Sequence, residues 1–323
     1  MPTFLFSIIS CLVSLTICIG CQWIPPVNVE ANTFADRVIV DILDGAVFYS
    51  EKGIDDGLWL EIERINEPGI VGGYISQNNN HRGALIILLN GASTYEPGGA
   101  EGRARVFHQY FGPFFRNAGY LTWFPVVREC GTAYGQGDLA DLIEAIDWME
   151  RSGKVLLEVN HIYIFGYSTG WTLATLANRR RRVDAVVSIS GITQPDQFKT
   201  MWSLYSFISQ LFPHNTGVCQ LRSTLEYYGP PESPTWEYLD SVNHLDEFLA
   251  PMLFIHGTDD YIFGIDNTLA LEHRYREQIA QGEALPQMEF MYFPFGHSIP
   301  VSNPEVIELI IEFFDRFNPM ADK

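Results

Sequence analysis

Apolar positions along the chain fall into two alternating kinds of run. Short runs rich in β-branched and aromatic residues read as eight strands: Leu58 to Ile65, Ile70 to Ser76, Ala84 to Asn90, Tyr120 to Val127, His161 to Phe165, Val183 to Ser190, Pro251 to His256 and Met288 to Phe293. Between the later runs the apolar residues recur at helical spacing. Leu139, Leu142, Ile143, Ile146 and Met149 share one helix face, and Gly153 supplies a stop. A last helix starts at Asn303-Pro304 and carries Val306, Ile307, Ile310, Ile311 and Phe314 on its buried side. Strands alternating with helices predict βαβ units, hence an α/β fold with a mostly parallel eight-stranded sheet and helices on both faces. The short turn Asn66-Glu67-Pro68-Gly69 joins the first two strands and predicts an antiparallel edge.

Two stretches break the alternation. Phe198 to Asp240 is rich in aromatic residues, Pro and Ser and too long for a plain connection, so residues 198–240 are expected to form a lid or cap insertion. Within it Met201, Trp202, Leu204, Tyr205, Phe207, Ile208, Leu211 and Phe212 make an amphipathic pattern, suited to the core or to an apolar substrate pocket. Residues 21–54 read as a tether and N-terminal edge, with Pro25-Pro26 blocking regular structure, and residues 55–323 as one α/β domain. No internal repeat is evident.

The first 20 residues differ from the rest. Residues 4–20 carry no charge and have the length of a secretory apolar segment, short for a membrane span. Cys18-Ile19-Gly20-Cys21 resembles a bacterial lipobox, which makes Cys21 the candidate lipidation site. A cleaved lipoprotein signal, an ordinary signal peptide over residues 1–20 and an uncleaved anchor all imply export, to a membrane-attached, periplasmic or secreted location. In such an oxidising compartment Cys130 and Cys219 are a candidate disulfide, two buried free thiols being the alternative. No Cys/His cluster has the spacing of a zinc site, so neither metal nor other cofactor is indicated.

Composition narrows the partners. A hydrophobic share of 47% with 18% charged residues supplies a full core, and a formal charge of −19 disfavours a general nucleic-acid binder. The one basic run, Arg179 to Arg182, lies where a helix should end, and its charges complement that helix terminus.

The chemistry concentrates in three places. Gly166-Tyr167-Ser168-Thr169-Gly170 follows the strand HIYIF and precedes the helical stretch WTLATLANRR. Glycines on either side permit a tight strand-to-helix turn that presents the Ser168 hydroxyl at the sheet's carboxyl edge, beside a helix amino terminus that favours negative charge. A neutral serine needs a base, and the base needs an orienting acid. Downstream, PMLFIHGTDD ends a strand with Asp259 and Asp260, and Phe293-Pro294-Phe295-Gly296-His297 follows the last strand. Asp196 is a further acid candidate. His256 precedes the acid loop and reads as a strand-end histidine with its needs met locally. His81, His108, His161, His214, His244 and His273 have no motif context.

With GYSTG, HGTDD and FGH in this order, the chain resembles the α/β-hydrolase superfamily, and within it the prolyl oligopeptidase-like (S9) peptidase domain and related esterases. Arg128-Glu129-Cys130-Gly131-Thr132-Ala133-Tyr134-Gly135, similar to the RGSxGYG loop of that family, and Ser241-Val242-Asn243-His244 extend the resemblance over roughly residues 55 to 318. The resemblance implies an α/β-hydrolase fold with Ser168 as nucleophile, His297 as general base and Asp260, or Asp259 if the loop is shifted, as the acid. The oxyanion donors it implies are the backbone amides of Thr169 and Ala92, with Asn90 able to assist. Thr169-Gly170-Trp171 stands where family members typically show Tyr-Gly-Gly, and Asn90-Gly91-Ala92 where they show HGG or YGG. About 35 residues separate the apolar segment from the first predicted strand, leaving no room for the β-propeller of S9 peptidases. The expectation is therefore acyl transfer on small carboxylic esters, with short peptides as the alternative substrate class and a non-catalytic binding protein as a second alternative.

Overall fold

The Asp44-Gly45 pair reverses the chain within two residues, both at positive φ (46° and 76°). This is the backbone a tight hairpin turn demands. It joins β1 (Arg37–Leu43) to β2 (Ala46–Glu51). The computed structural model describes residues 37–51, 54, 56–65, 69–77, 81–89, 99–126, 136–211, 224–297 and 303–318. Residues 1–36, with Cys21, and the segments holding Asn90, Ala92, Cys130, His214 and Cys219 lie outside these.

The eight strands read from the sequence are present, as β3 (Gly57–Glu63), β4 (Ile70–Ser76), β5 (Ala84–Leu89), β6 (Leu121–Pro125), β7 (His161–Tyr167), β8 (Ala185–Ile189), β9 (Met252–Gly257) and β10 (Met288–Phe293). All ten strands form one sheet in the order β1-β2-β3-β4-β6-β5-β7-β8-β9-β10. The eight-stranded, mostly parallel expectation is corrected accordingly. The sheet is mixed, because β1 to β4 run antiparallel to their neighbours and β4 pairs antiparallel with β6. From β6 through β10 every pairing is parallel. The β3–β4 hairpin is antiparallel as expected but is not the edge, since residues 37–51, read as part of the tether and N-terminal edge, add two strands outside it. The Asp-Gly turn between two apolar-rich runs carried that signal.

Helices cover both faces. α1 (Gly99–Tyr110), α2 (Gly112–Asn117) and α7 (Pro304–Asp315) pack on one, and α3 (Gln136–Trp148), α4 (Thr169–Asn178) and α6 (Asp266–Ala280) on the other. Strand β5 shows why the layers hold. Leu85, Ile87 and Leu89 join one hydrophobic cluster and Ala84, Ile86 and Leu88 the other, so successive side chains feed opposite cores. Phe313 and Phe314 of α7 are fully buried, and truncating such a side chain costs about 3–5 kcal/mol. Asn303 caps α7 by accepting from the Glu305 amide at 2.9 Å, with Pro304 in the first turn. At the end of α4, Arg179 bonds Glu247 and the Tyr238 carbonyl, and Arg181 pairs with Asp147 and Glu150. The basic run therefore ties its helix to neighbouring elements. Helix α5 (Asp196–Leu211) lies in the segment read as an insertion, and Trp202 holds it to the Gly229 carbonyl at 2.9 Å. Among the described residues no helix is long and apolar enough to cross a membrane.

One buried charge secures the added hairpin. Glu51, at the end of β2, has a fully buried carboxylate that accepts from Arg37 Nε at 3.0 Å and the Tyr74 hydroxyl at 2.8 Å, with Arg105 Nη1 at 3.2 Å. Arg37 also lies 3.9 Å above the Trp59 ring and reaches Glu101 at 3.1 Å. Burial, with the Glu51 charge beside it, pushes the Tyr74 phenol well above its ordinary value, so it stays a donor. Residues from β1, β2, β4 and α1 thus converge on one carboxylate. Replacing Glu51 by Ala removes the counter-charge that two largely buried guanidiniums share, and should cost about 3 kcal/mol in urea denaturation. Glu101→Ala, at the exposed rim of the same cluster, should cost less than about 1 kcal/mol.

Candidate active site

Ser168 sits at the carboxyl end of β7, in the middle of the parallel half of the sheet. Its backbone is in a sparsely populated region, φ 55° and ψ −116°, a strain of about 1–3 kcal/mol for a residue with a Cβ. Two neighbours hold it there. The Ser168 amide donates to the Ile189 carbonyl of β8 at 2.9 Å, and the Trp171 amide donates back to the Ser168 carbonyl at 3.0 Å. Helix α4 begins at the next residue and doubles back over β7. A side chain at Gly166 would press into the Gly170 carbonyl and come within 2.8 Å of the Ala174 Cβ, so only glycine permits this approach. The Thr169 amide belongs to the first turn of α4, where backbone donors have no partner within the helix. Asn90 and Ala92 cannot be set beside it, because they lie outside the described residues.

Two loops, after β9 and β10, converge beside Ser168. His297 follows β10 and places Nε2 2.9 Å from the Ser168 hydroxyl. Its other nitrogen, Nδ1, lies 2.8 Å from Asp260 Oδ2, in the loop after β9. The loops are registered by backbone. Thr258 N donates to the Phe293 carbonyl at 2.7 Å, and Asp259 N to the Phe295 carbonyl at 3.0 Å. Where they cross, a Cβ on Gly257 would collide with the Phe295 carbonyl and lie 2.8 Å from that of Gly296. The His297 ring lies between Tyr167, at 5.6 Å and tilted, and Phe263, edge-on at 5.3 Å. Tyr167 also donates its hydroxyl to the His297 carbonyl at 3.3 Å.

Of the two acids read from HGTDD, Asp260 is the one brought to His297. Asp259 is exposed, while Asp260 is buried and its Oδ1 accepts from the amides of Ile262 and Phe263, each at 2.9 Å. Burial alone would raise the Asp260 carboxyl. Hydrogen bonds from His256 and His297, the charge of His297 and the Phe263 amide outweigh it and hold the group well below the usual carboxylate range. Asp196 is exposed at the start of α5. Serine, imidazole and a buried carboxylate in a hydrogen-bonded line form an arrangement that can withdraw the hydroxyl proton and stabilise the resulting imidazolium.

Among the described residues the other histidines stand apart from Ser168. His161 faces Asp184, His244 faces Glu247 and His273 faces Glu277, while His81 accepts from the Gly83 amide. His108 is fully buried near Asp56, and burial lowers its affinity for a proton. His256 is satisfied at the strand end, as the sequence suggested, but its contacts include Asp260. Sequence reasoning passed over Tyr167, Phe263 and Thr268. Tyr167 stands inside GYSTG and Phe263 three residues beyond HGTDD, which was the available signal, whereas nothing in the sequence singled out Thr268. Among the described residues no group of His, Cys, Asp and Glu is placed to hold a metal.

Comparison with solved structures agrees with this architecture. An esterase of Pyrococcus furiosus superposes with a TM-score of 0.56 at 17% identity, over 81% of this chain and 92% of its own. An acylaminoacyl peptidase of Pyrococcus horikoshii gives 0.56 at 15% identity, over 87% of this chain and 49% of its own. Dipeptidyl peptidase 4 of Porphyromonas gingivalis gives 0.52 at 12% identity, over 83% of this chain and 35% of its own. This chain thus spans about half of the first peptidase and about a third of the second. At these identities the likeness is one of fold, the α/β-hydrolase fold. No curated protein matches by sequence. Residues 128–318 match the prolyl oligopeptidase family, which is more than half of the chain and includes Ser168, Asp260 and His297. The chain therefore belongs to the prolyl oligopeptidase (S9) family and is a serine hydrolase.

Proposed function

We propose that the protein cleaves small carboxylic esters through an acyl-enzyme on Ser168. The observation that carries this reading is the hydrogen-bonded line from the Ser168 hydroxyl through His297 to Asp260, set at a strained strand-to-helix turn. Ser168 Oγ attacks the substrate carbonyl as its proton passes to His297 Nε2. The tetrahedral oxygen is met by the Thr169 amide at the start of α4, with the Ala92 amide as the second donor. His297 then protonates the departing alkoxide, leaving the acyl group on Ser168. Water attacks that ester, giving its proton to His297, and the acid leaves as Ser168 recovers its hydrogen. Asp260 keeps the Nδ1–H of His297 in place throughout and balances the charge on the ring.

The Pyrococcus furiosus esterase, matched over 92% of its length, supports esters as the substrate class. Membership of a peptidase family favours the second reading, hydrolysis of short peptides. A fluorophosphonate probe should label the wild type and leave Ser168→Ala unlabelled. A folded wild type that takes no label removes the acyl-enzyme. p-Nitrophenyl esters of graded chain length, assayed beside aminoacyl and dipeptidyl amides, should be turned over faster than the amides, and the reverse order would favour peptides.

The acid is testable separately. Asp260→Asn should lower kcat by roughly 10³- to 10⁴-fold, whereas Asp259→Asn, on an exposed side chain, should stay within about threefold of wild type. The same variant reads the pH dependence of stability. A carboxyl held below its unfolded value contributes stability that is fully present above about pH 4 and is lost as the pH falls further. The stability difference between wild type and Asp260→Asn, from urea unfolding, should therefore be constant at neutral pH and shrink below about pH 4.

A further inference from the structure

We propose that His256 is a positioning residue for Asp260, so that the carboxylate is fixed between two histidines and only one of them meets Ser168. The inference rests on the reading of Asp260 as the orienting acid.

His256 belongs to β9, four residues before Asp260, and its side chain is fully buried. Nε2 lies 2.7 Å from the Phe263 carbonyl and 3.2 Å from Asp260 Oδ2. A carbonyl and a carboxylate only accept, so Nε2 carries a proton and donates to both. Nδ1 lies 2.7 Å from Thr268 Oγ1, in the first turn of α6, and that hydroxyl can donate to it. The carbonyl and carboxylate thus select this tautomer, and the Thr268 hydroxyl satisfies the nitrogen left without a proton. The ring is also edge-on to Trp171 of α4, 6.0 Å between centroids.

The consequence is a closed set of bonds around the acid. Oδ1 takes the amides of Ile262 and Phe263, and Oδ2 takes His256 and His297. Three of these four donors come from the strand and loop that carry Asp260, and the fourth is the catalytic imidazole. Rotation of the carboxylate about its Cβ–Cγ bond would break bonds on both oxygens at once. His256 therefore restricts the orientation of the group that aims His297, without touching substrate. It also closes the loop, because one N–H spans Phe263 and Asp260. A histidine kept only to fill the strand end would need nothing from Asp260.

The test separates the hydrogen bond from the volume. His256→Phe keeps a ring and loses the donor, while His256→Gln keeps an N–H at a similar reach. With p-nitrophenyl butyrate, His256→Phe should lower kcat about tenfold or more with KM within about twofold, since only the alignment of the catalytic groups is lost. His256→Gln should restore kcat to within about threefold of wild type. Thr268→Val, which removes the hydroxyl that donates to Nδ1 and keeps the shape, should fall between them, and it decides the matter if His256→Phe fails to fold. Equal losses in the Phe and Gln variants, or unchanged kcat in the Phe and Val variants, overturn the proposal. Each variant is run beside fluorophosphonate labelling of the wild type. Absence of that label defeats the acyl-enzyme reading, whereas a labelled wild type with an unaffected His256→Phe defeats only the role of His256.

Discussion

The site depends on backbone meeting backbone where no side chain can intervene. At Gly166 the carbonyl of Gly170 occupies the space a Cβ would take, and at Gly257 the carbonyl of Phe295 does the same. The first approach lets α4 turn back over β7 tightly enough to push Ser168 into its strained conformation. The second lets the loop after β10 cross the end of β9, which brings His297 and Asp260, 37 residues apart, within 2.8 Å. The strain at Ser168 is borne by a sheet whose central strands bury both faces. An isolated turn would relax, but here the Ser168 amide is already committed to β8.

Charge is arranged with the same economy. Asp260 is buried, so an uncompensated carboxylate there would be costly. Four donors offset the loss of water, and the acid is held ionised beside the His297 imidazole. Tyr167 and Phe263 flank that imidazole with rings, leaving Nε2 directed at Ser168. The buried Glu51 solves a comparable problem far from the chemistry, where two guanidiniums and a phenol surround one carboxylate and hold the outer hairpin to the sheet.

The parallel half of the fold was legible because its signals are dense. Eight apolar runs matched eight strands, and the order GYSTG, HGTDD, FGH placed three residues that the structure joins. The edge hairpin was not, since Pro25-Pro26 and an apparent tether drew attention from the Asp44-Gly45 turn. In β1 that pattern is further obscured, because a bulge between Ile39 and Asp41 breaks the strict alternation that marks a strand. Asp260 was preferred over Asp259 from its place in HGTDD, and burial with the amides of Ile262 and Phe263 sets the two apart. Thr268 was illegible, because its contact with His256 depends on where α6 begins after a turn.

Trp171 shows how a departure from a family pattern is absorbed. It stands where relatives typically have glycine, one turn into the helix behind Ser168, and is fully buried. Its indole lies 5.1 Å from the Phe254 ring and meets His256 edge-on, so the large side chain fills space between α4 and the end of β9. In this chain, then, Trp171 packs the helix that follows the serine against the strand that leads to the acid. At the far end of α4, Asn178 adds two hydrogen bonds to Ala250 ahead of β9. Precision at Ser168 and precision at Asp260 are consequently not independent properties of two loops. Both follow from how firmly α4 rests on β9, and His256 lies at that contact.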